Sequence, residues 1–338
     1  MDFFLTQIHR ETERLFEKLS YVGWSETDCE VIAPMTLEIN RIKKEKNAII
    51  LAHSYLTPDI VYGVADFIGD SYALSKIAAN SNAKTIIFCS VHFMAETAKI
   101  MNPKKNVFVP AVSGCSLAES INPEDVIEIR KKYPMAGVVC YVNTSAAVKA
   151  ECDACCTSSN ALKIIESLPQ KQIIFLPDEL MAKNLQPLTK KKIIGWNGRC
   201  IVHEKFSPKT IDEVRKDYPG VKILAHLECA PSVIKKVDMA GGTEGMIKYI
   251  NKTDATDIML VTECGLSDRM KVEYPSKRIV GSCALCPYMK KVMLKDILQV
   301  LKQPRKDQTI DLPKDIMTRA KKALDRMMKI SESMPKFK

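Results

Sequence analysis

Three of the chain's 12 cysteines recur at a fixed interval. They lie in Gly114-Cys115-Ser116, Arg199-Cys200-Ile201 and Leu285-Cys286-Pro287, with separations of 85 and 86 residues. Equivalent units packed about a pseudo-threefold axis would bring these three thiols to one point. Closed structural zinc sites usually take four ligands. Three cysteines instead suit a 4Fe-4S cluster with one iron left open to substrate or water. The other cysteines do not recur in register. Cys152-Asp-Ala-Cys155-Cys156 looks like a ligand cluster but has no counterpart in the other units, and reads as small buried residues at the start of a helix. Cys283 and Cys286 have the spacing of a reversible disulfide that forms when the cluster is absent. Cys29, Cys89, Cys140, Cys229 and Cys264 read as packing residues.

A second repeated set is polar. Apolar runs end in His53/Tyr55, Tyr141/Asn143 and His226/Glu228, so each offers a polar residue at i and i+2 on one face if the strand continues. Further on come Asp66-Phe-Ile-Gly-Asp-Ser71, Asp153-Ala-Cys-Cys-Thr-Ser158 and Asp238-Met-Ala-Gly-Gly-Thr243. The hydroxyls of Ser71, Ser158 and Thr243 open helical segments, where Ser and Thr are also good N-caps. Helix N-termini aimed at one cavity present N–H groups and positive dipole ends to anions. A small substrate with several carboxylates or a phosphate is implied.

These residues need elements to position them. Short β-branched runs recur three times, as in Lys84-Thr-Ile-Ile-Phe88, Lys171-Gln-Ile-Ile-Phe175 and Thr256-Asp-Ile-Met-Leu260, and read as buried parallel strands. Helical segments alternate with them, the pattern of βαβ units with right-handed crossovers. About three strands fall in each period. The expected fold is therefore α/β: three pseudo-threefold-related α/β/α units, each with a short mostly parallel sheet, around a central cluster. The units fall at 35–120, 121–205 and 206–290. Residues 1–34 form a helical extension, and residues 291–338 form C-terminal helices.

Composition narrows the class. Hydrophobic residues are 46% and charged residues 27%, as in a globular protein. The net charge of +10 is scattered and aromatics are 7%, so the clustered basic and stacking side chains of a nucleic-acid binder are missing. No stretch approaches the roughly 20 apolar residues of a membrane span, and the start lacks a signal peptide's apolar run. A cytoplasmic location with reduced cysteines is expected.

The order of motifs resembles the quinolinate synthase A family of NAD biosynthesis. It is carried by Ala-His-Ser-Tyr (52–55), Ala65-Asp-Phe-Ile-Gly-Asp-Ser71, Phe93-Met-Ala-Glu-Thr97, Gly114-Cys-Ser-Leu117, Tyr141-Val-Asn-Thr-Ser145, Cys156-Thr-Ser-Ser-Asn160, Cys200-Ile-Val-His203, His226-Leu-Glu-Cys229 and Cys286-Pro-Tyr-Met-Lys290, over about residues 36–330. The resemblance implies condensation of iminosuccinate, made by an aspartate-oxidising partner, with dihydroxyacetone phosphate to give quinolinate, phosphate and water. It implies cluster ligands at Cys115, Cys200 and Cys286. Substrate contacts are implied at His53, Ser71, Tyr141, Asn143, Ser158, His226, Glu228 and Thr243, with Tyr55 and His203 at further active-site positions. Glu228 is the expected general base, with Tyr55 as acid–base partner and Tyr141 orienting or protonating the intermediate. Leu227 and Gly242 depart from the family, which often has Pro and Ser there. The alternative enzyme is another 4Fe-4S-dependent hydro-lyase acting on a small polycarboxylate. A cluster-based electron carrier would prefer four cysteine ligands and no substrate pocket.

Overall fold

The computed structural model describes residues 2–332. Residue 1 of the expected N-terminal extension and residues 333–338 of the expected C-terminal helices lie outside the described residues. Among the described residues, twelve strands form three four-stranded sheets. The first holds β1 (Ala48–His53), β2 (Phe67–Gly69), β3 (Thr85–Cys89) and β4 (Asn106–Phe108). The second holds β5 (Gly137–Tyr141), β6 (Ala154–Cys156), β7 (Gln172–Leu176) and β8 (Lys192–Gly195). The third holds β9 (Lys222–His226), β10 (Met239–Gly241), β11 (Asp257–Val261) and β12 (Arg278–Val280). All three share one strand order: β2-β1-β3-β4, β6-β5-β7-β8 and β10-β9-β11-β12. The strand pairs are parallel, and helices lie between successive strands. The central strands are buried almost without alternation, which is why they read as continuous apolar runs.

Each sheet has four strands rather than the expected three. The additional strands β2, β6 and β10 are only three residues long, and their sequences carry no β-branched run. Cys155 and Cys156 therefore sit on strand β6, not at a helix start. The repeated aspartate explains how so short a strand is fixed. Asp66, Asp153 and Asp238 accept from the backbone N–H of Ile50, Val138 and Ile223 at 2.8, 2.7 and 2.9 Å. Their own N–H groups donate back to the same three residues at 2.9, 2.9 and 2.8 Å. A basic side chain 23 positions earlier closes each clasp: Lys43, Arg130 and Arg215 contact the carboxylates at 2.8, 2.8 and 2.9 Å. Hydrogen bonds to a charged group contribute about 1.5–3 kcal/mol each. The role of these aspartates is structural.

The chain divides into two compact units, residues 1–113 with 255–310, and residues 114–254 with 311–338. In the first, helices Asp2–Leu19 and Glu26–Glu45 pack on each other through Leu15, Leu19, Cys29 and Ala33. Glu26–Glu45 opens with a Ser25/Asp28 capping box. In the second unit, helix Lys314–Glu332 packs on the Ala146–Ala150 helix, on β6 and on helix Ala161–Ser167. Among the described residues no helix is long and apolar enough to cross a membrane.

Candidate active site and thiolate centre

The three recurring cysteines share one local structure. Two residues before each, a carbonyl accepts from the start of a helix: His92 N–H to Ser113, Glu179 N–H to Gly198 and Cys264 N–H to Ala284, at 2.8, 2.9 and 3.2 Å. The cysteine carbonyl then accepts from the residue four positions on, Cys115 from Glu119, Cys200 from Glu204 and Cys286 from Lys290, at 2.9, 3.1 and 3.2 Å. A short 3-10 turn begins three residues past each, at Ala118–Ser120, His203–Lys205 and Met289–Lys291. None of the three is in a disulfide, and all three are half-buried.

Burial pushes the Cys200 thiol up, and Glu228 and Cys115 add to the rise, against backbone N–H groups of His203 and Val202 aimed at its sulfur. Burial likewise raises Cys286, opposed by the N–H groups of Met289 and Tyr288. Such turns direct N–H donors at sulfur, an arrangement that suits thiolates bound to iron. Each turn by itself therefore suits a thiolate ligand of an iron–sulfur group. Cys283 does not pair with Cys286. It is disulfide-bonded to Cys264, so the expected partner is wrong and Cys264 is not simply a packing residue. The Glu263–Ala284 bridge brings position 264 beside the 283–286 loop, although the two cysteines are 19 residues apart.

The polar repeat is organised by strand register. His53, Tyr141 and His226 are the last residues of β1, β5 and β9, and their Cα partners are Gly69, Cys156 and Gly241. Ser71, Ser158 and Thr243 each follow two residues after those partners. Parallel pairing thus brings His53 with Ser71, Tyr141 with Ser158, and His226 with Thr243 to the carboxyl ends of neighbouring strands, where α/β proteins bind ligands. The hydroxyls are not themselves N-caps. Asp70 and Gly242 hold that position before Ser71 and Thr243, and Asn160 holds it two residues after Ser158. Ser71 and Ser158 are half-buried and Thr243 is buried.

In the first unit, the Tyr55 N–H donates to His53 Nδ1 at 3.1 Å. The neutral ring then carries its proton on Nε2 as a donor. Tyr55 is fixed further by its hydroxyl on Thr262 Oγ1 at 2.8 Å and by Lys290 Nζ donating to its carbonyl at 2.6 Å. Gly265 lets a helix start approach the Tyr55 backbone, since a Cβ there would lie 2.6 Å from its carbonyl carbon. The buried Glu263 carboxylate accepts from Cys286 N–H at 3.1 Å and Gly265 N–H at 2.6 Å, and pairs with Lys290 at 3.0 Å. Burial raises its pKa despite Lys290 and those donors.

In the second unit, Glu228 N–H donates to His226 Nδ1 at 3.3 Å, repeating the His53 geometry. Tyr141 donates its hydroxyl to Glu228 Oε1 at 2.7 Å, while His203 Nδ1 lies 2.8 Å from Oε2 and 3.2 Å from Cys200 Sγ. Cys200, His203 and Glu228 offer ligand atoms within 4.8 Å of one another. The His203 and His226 rings stack with centroids 4.6 Å apart. Burial lowers the His226 pKa to about 4, so its ring is neutral at pH 7. Burial alone would raise Glu228, but His226, His203 and the hydrogen bonds from His203 and Tyr141 hold it below the ordinary carboxylate range. Asn143 Oδ1 is buried with no hydrogen-bond partner among the described residues.

Asp178, overlooked in the sequence, is a second acid in this field. It is fully buried, accepts from Met181 N–H at 2.8 Å through Oδ1, and leaves Oδ2 without a hydrogen-bond partner among the described residues. Burial, then the charge of Glu228, pushes it well above the ordinary carboxylate range. Two buried carboxyls whose surroundings push them in opposite directions form the kind of pair that can divide base and acid roles. Asp178 and Glu263 are 85 residues apart, the interval of the cysteines, and that is the signal that would have exposed both.

Three parallel sheets of one topology, with polar residues at the carboxyl ends of their strands, define an α/β protein of the kind that binds small ligands at strand ends. The family model described as quinolinate synthetase A protein matches residues 37–329. The chain belongs to that family. It is 48% identical over 291 residues to quinolinate synthase 1 of Mesorhizobium japonicum, covering 86% of this chain and 89% of that protein. It is 46% identical over 293 residues to quinolinate synthase of Xylella fastidiosa, with 86% of each covered. Quinolinate synthase of Caulobacter vibrioides is 41% identical over 330 residues, covering 96% and 89%.

Proposed function

We propose that the protein condenses iminosuccinate with dihydroxyacetone phosphate to form quinolinate, one phosphate and two waters, in the cytoplasm. Cys115, Cys200 and Cys286 hold a 4Fe-4S cluster. The observation that carries the proposal is their shared turn, with the same upstream anchor, the same i+4 hydrogen bond and the same 3-10 segment. When bound, a cluster held by three thiolates supplies one open iron as a Lewis acid.

The remaining roles belong to side chains. Glu228, ionised and flanked by Tyr141 and His203, takes a proton from the condensing carbon or nitrogen. Tyr141 holds that carboxylate in place and orients the intermediate. Tyr55, anchored by Thr262 and Lys290, exchanges a proton with a departing oxygen. His53 and His226 donate from Nε2 to substrate carboxylates, and His203 and Asn143 make further polar contacts to substrate. Ser71, Ser158 and Thr243 hold carboxylate and phosphate oxygens near helix starts. An aspartate-oxidising enzyme upstream would supply the imine.

Anaerobically loaded protein supplied with iminosuccinate and dihydroxyacetone phosphate is expected to form quinolinate, read by its aromatic absorbance and mass. Consumption of neither substrate would overturn the proposal. So would hydration or dehydration of a polycarboxylate with no aromatic product.

A further inference from the structure

The loop that carries Glu228 is clamped by a side chain outside the reacting groups. Helix Glu179–Leu185 follows β7 and holds Asn184 near its end. Asn184 is buried, and its Nδ2 donates to the Leu227 carbonyl at 2.8 Å and to the Cys229 carbonyl at 2.7 Å. A primary amide has two N–H donors, so both are committed to the residues that flank Glu228. Leu227 N–H still donates to the Gly241 carbonyl at 3.1 Å, beside β9. Beyond that point, Glu228 N–H on His226 Nδ1 and Cys229 N–H on the His226 carbonyl tie the loop to its own root. Asn184 supplies an anchor from a separate helix.

The repeat contains a second clamp of the same kind. Arg269 lies 85 residues further on, and both it and Asn184 stand six residues after the N-cap of their helix. Arg269 Nη1 donates to Ser54 Oγ at 2.8 Å, and Ser54 is fully buried between His53 and Tyr55. The two side chains differ in size and charge. Both nevertheless donate to a loop that carries a proposed acid–base residue, Glu228 in one case and Tyr55 in the other.

We propose that Asn184 is a positioning residue for the general base: by fixing the backbone on both sides of Glu228, it holds that carboxylate against Tyr141 and His203. The inference rests on the reading of Glu228 as the base. The carboxylate accepts from Tyr141 at 2.7 Å and lies 2.8 Å from His203 Nδ1, distances that a loosened loop would not keep. Misplacing a reacting group by about 1 Å can cost roughly 100-fold in rate. Asn184 acts on the backbone of this loop, so its effect on the reaction passes through Glu228.

Asn184→Leu keeps the size of the side chain and removes both donors. The test measures single-turnover quinolinate formation by cluster-loaded wild type, Asn184→Leu, Glu228→Gln and the double variant, and peptide-resolved hydrogen exchange over residues 226–230. Asn184→Leu should slow turnover about 10-fold to 100-fold with iron content unchanged. In the Glu228→Gln background the same change should cost less than about threefold, because residues that act as a unit are not additive. Exchange over 226–230 should be at least about 10-fold faster, with strands β5 and β7 unaffected, whereas a general loss of stability would speed all three. The proposal is overturned by turnover within about threefold of wild type, by an equal loss in both backgrounds, or by unchanged exchange over 226–230. Should Asn184→Leu fail to fold, Asn184→Ala is read in the same way. Absence of quinolinate from the wild type would sink the base reading separately, and the exchange of 226–230 would still decide whether Asn184 holds Glu228.

Discussion

Replacing Glu228 by glutamine removes a charge and leaves the shape nearly unchanged. The carboxylate accepts from the Tyr141 hydroxyl at 2.7 Å and lies 2.8 Å from His203 Nδ1. The glutamine oxygen can still accept from one of them. Its amide then faces the other, and either a rotated Tyr141 hydroxyl or the alternative His203 tautomer can accept from it. The fold and the nearby Cys200 turn should therefore survive, while the ability to take a proton is lost. General-base catalysis contributes roughly 100-fold to 10,000-fold, equivalent to about 3–5 kcal/mol of barrier. Single-turnover formation of quinolinate at saturating substrates should fall by that factor, with iron and sulfide contents equal to those of the wild type. Turnover within about threefold of wild type would refute the base assignment. Because His203 Nδ1 lies 3.2 Å from Cys200 Sγ, a fall in iron content would instead show that Glu228 acts by supporting the cysteine turn.

Two further outcomes follow from the same geometry. Buried His226 titrates near 4, against an ordinary 6.5, so between those values the unfolded chain binds a proton that the folded chain does not. Stability is then full above pH 6.5 and lost as pH falls towards 4; about 2 kcal/mol should go between pH 6.5 and 5, where Glu228 is ionised in both states. Urea unfolding midpoints should show this slope, and His226→Asn should flatten it; an equal slope in that variant contradicts the assignment. A Cβ at Gly242 would collide with Ser158 Oγ, although the backbone there, at φ −91°, accepts any residue. Gly242→Ala should therefore turn Ser158 aside and raise KM for dihydroxyacetone phosphate about tenfold, with kcat little changed. An unchanged KM would remove Ser158 from the anion contacts.

The long central strands, the three cysteines and the polar strand ends were legible because each is repeated and each has a strong residue-type signature. Register then did more than periodicity could show: His53 meets Ser71 only because β2 pairs beside β1. Strands β2, β6 and β10 were hidden because their pairing comes from an aspartate clasp, not from propensity. Asp178 and Glu263 occupy helix N-cap positions, where an acidic residue is ordinary in sequence, and only their burial sets them apart. The bond between Cys264 and Cys283 depends on a backbone bridge that leaves no sequence pattern. Cys140 reads as a packing residue in the sequence because its neighbour Cys155 lies on another strand. The resemblance to a known family supplied chemical roles that spacing alone could not assign.

The central claim is that three equivalent turns hold one cluster through Cys115, Cys200 and Cys286. Iron and acid-labile sulfide should be counted on anaerobically purified protein and on Cys115→Ala, Cys200→Ala and Cys286→Ala. The wild type should carry about four of each per chain, and every variant should lose the cluster while remaining folded. A full complement of iron and sulfide in any one of the three variants would contradict it.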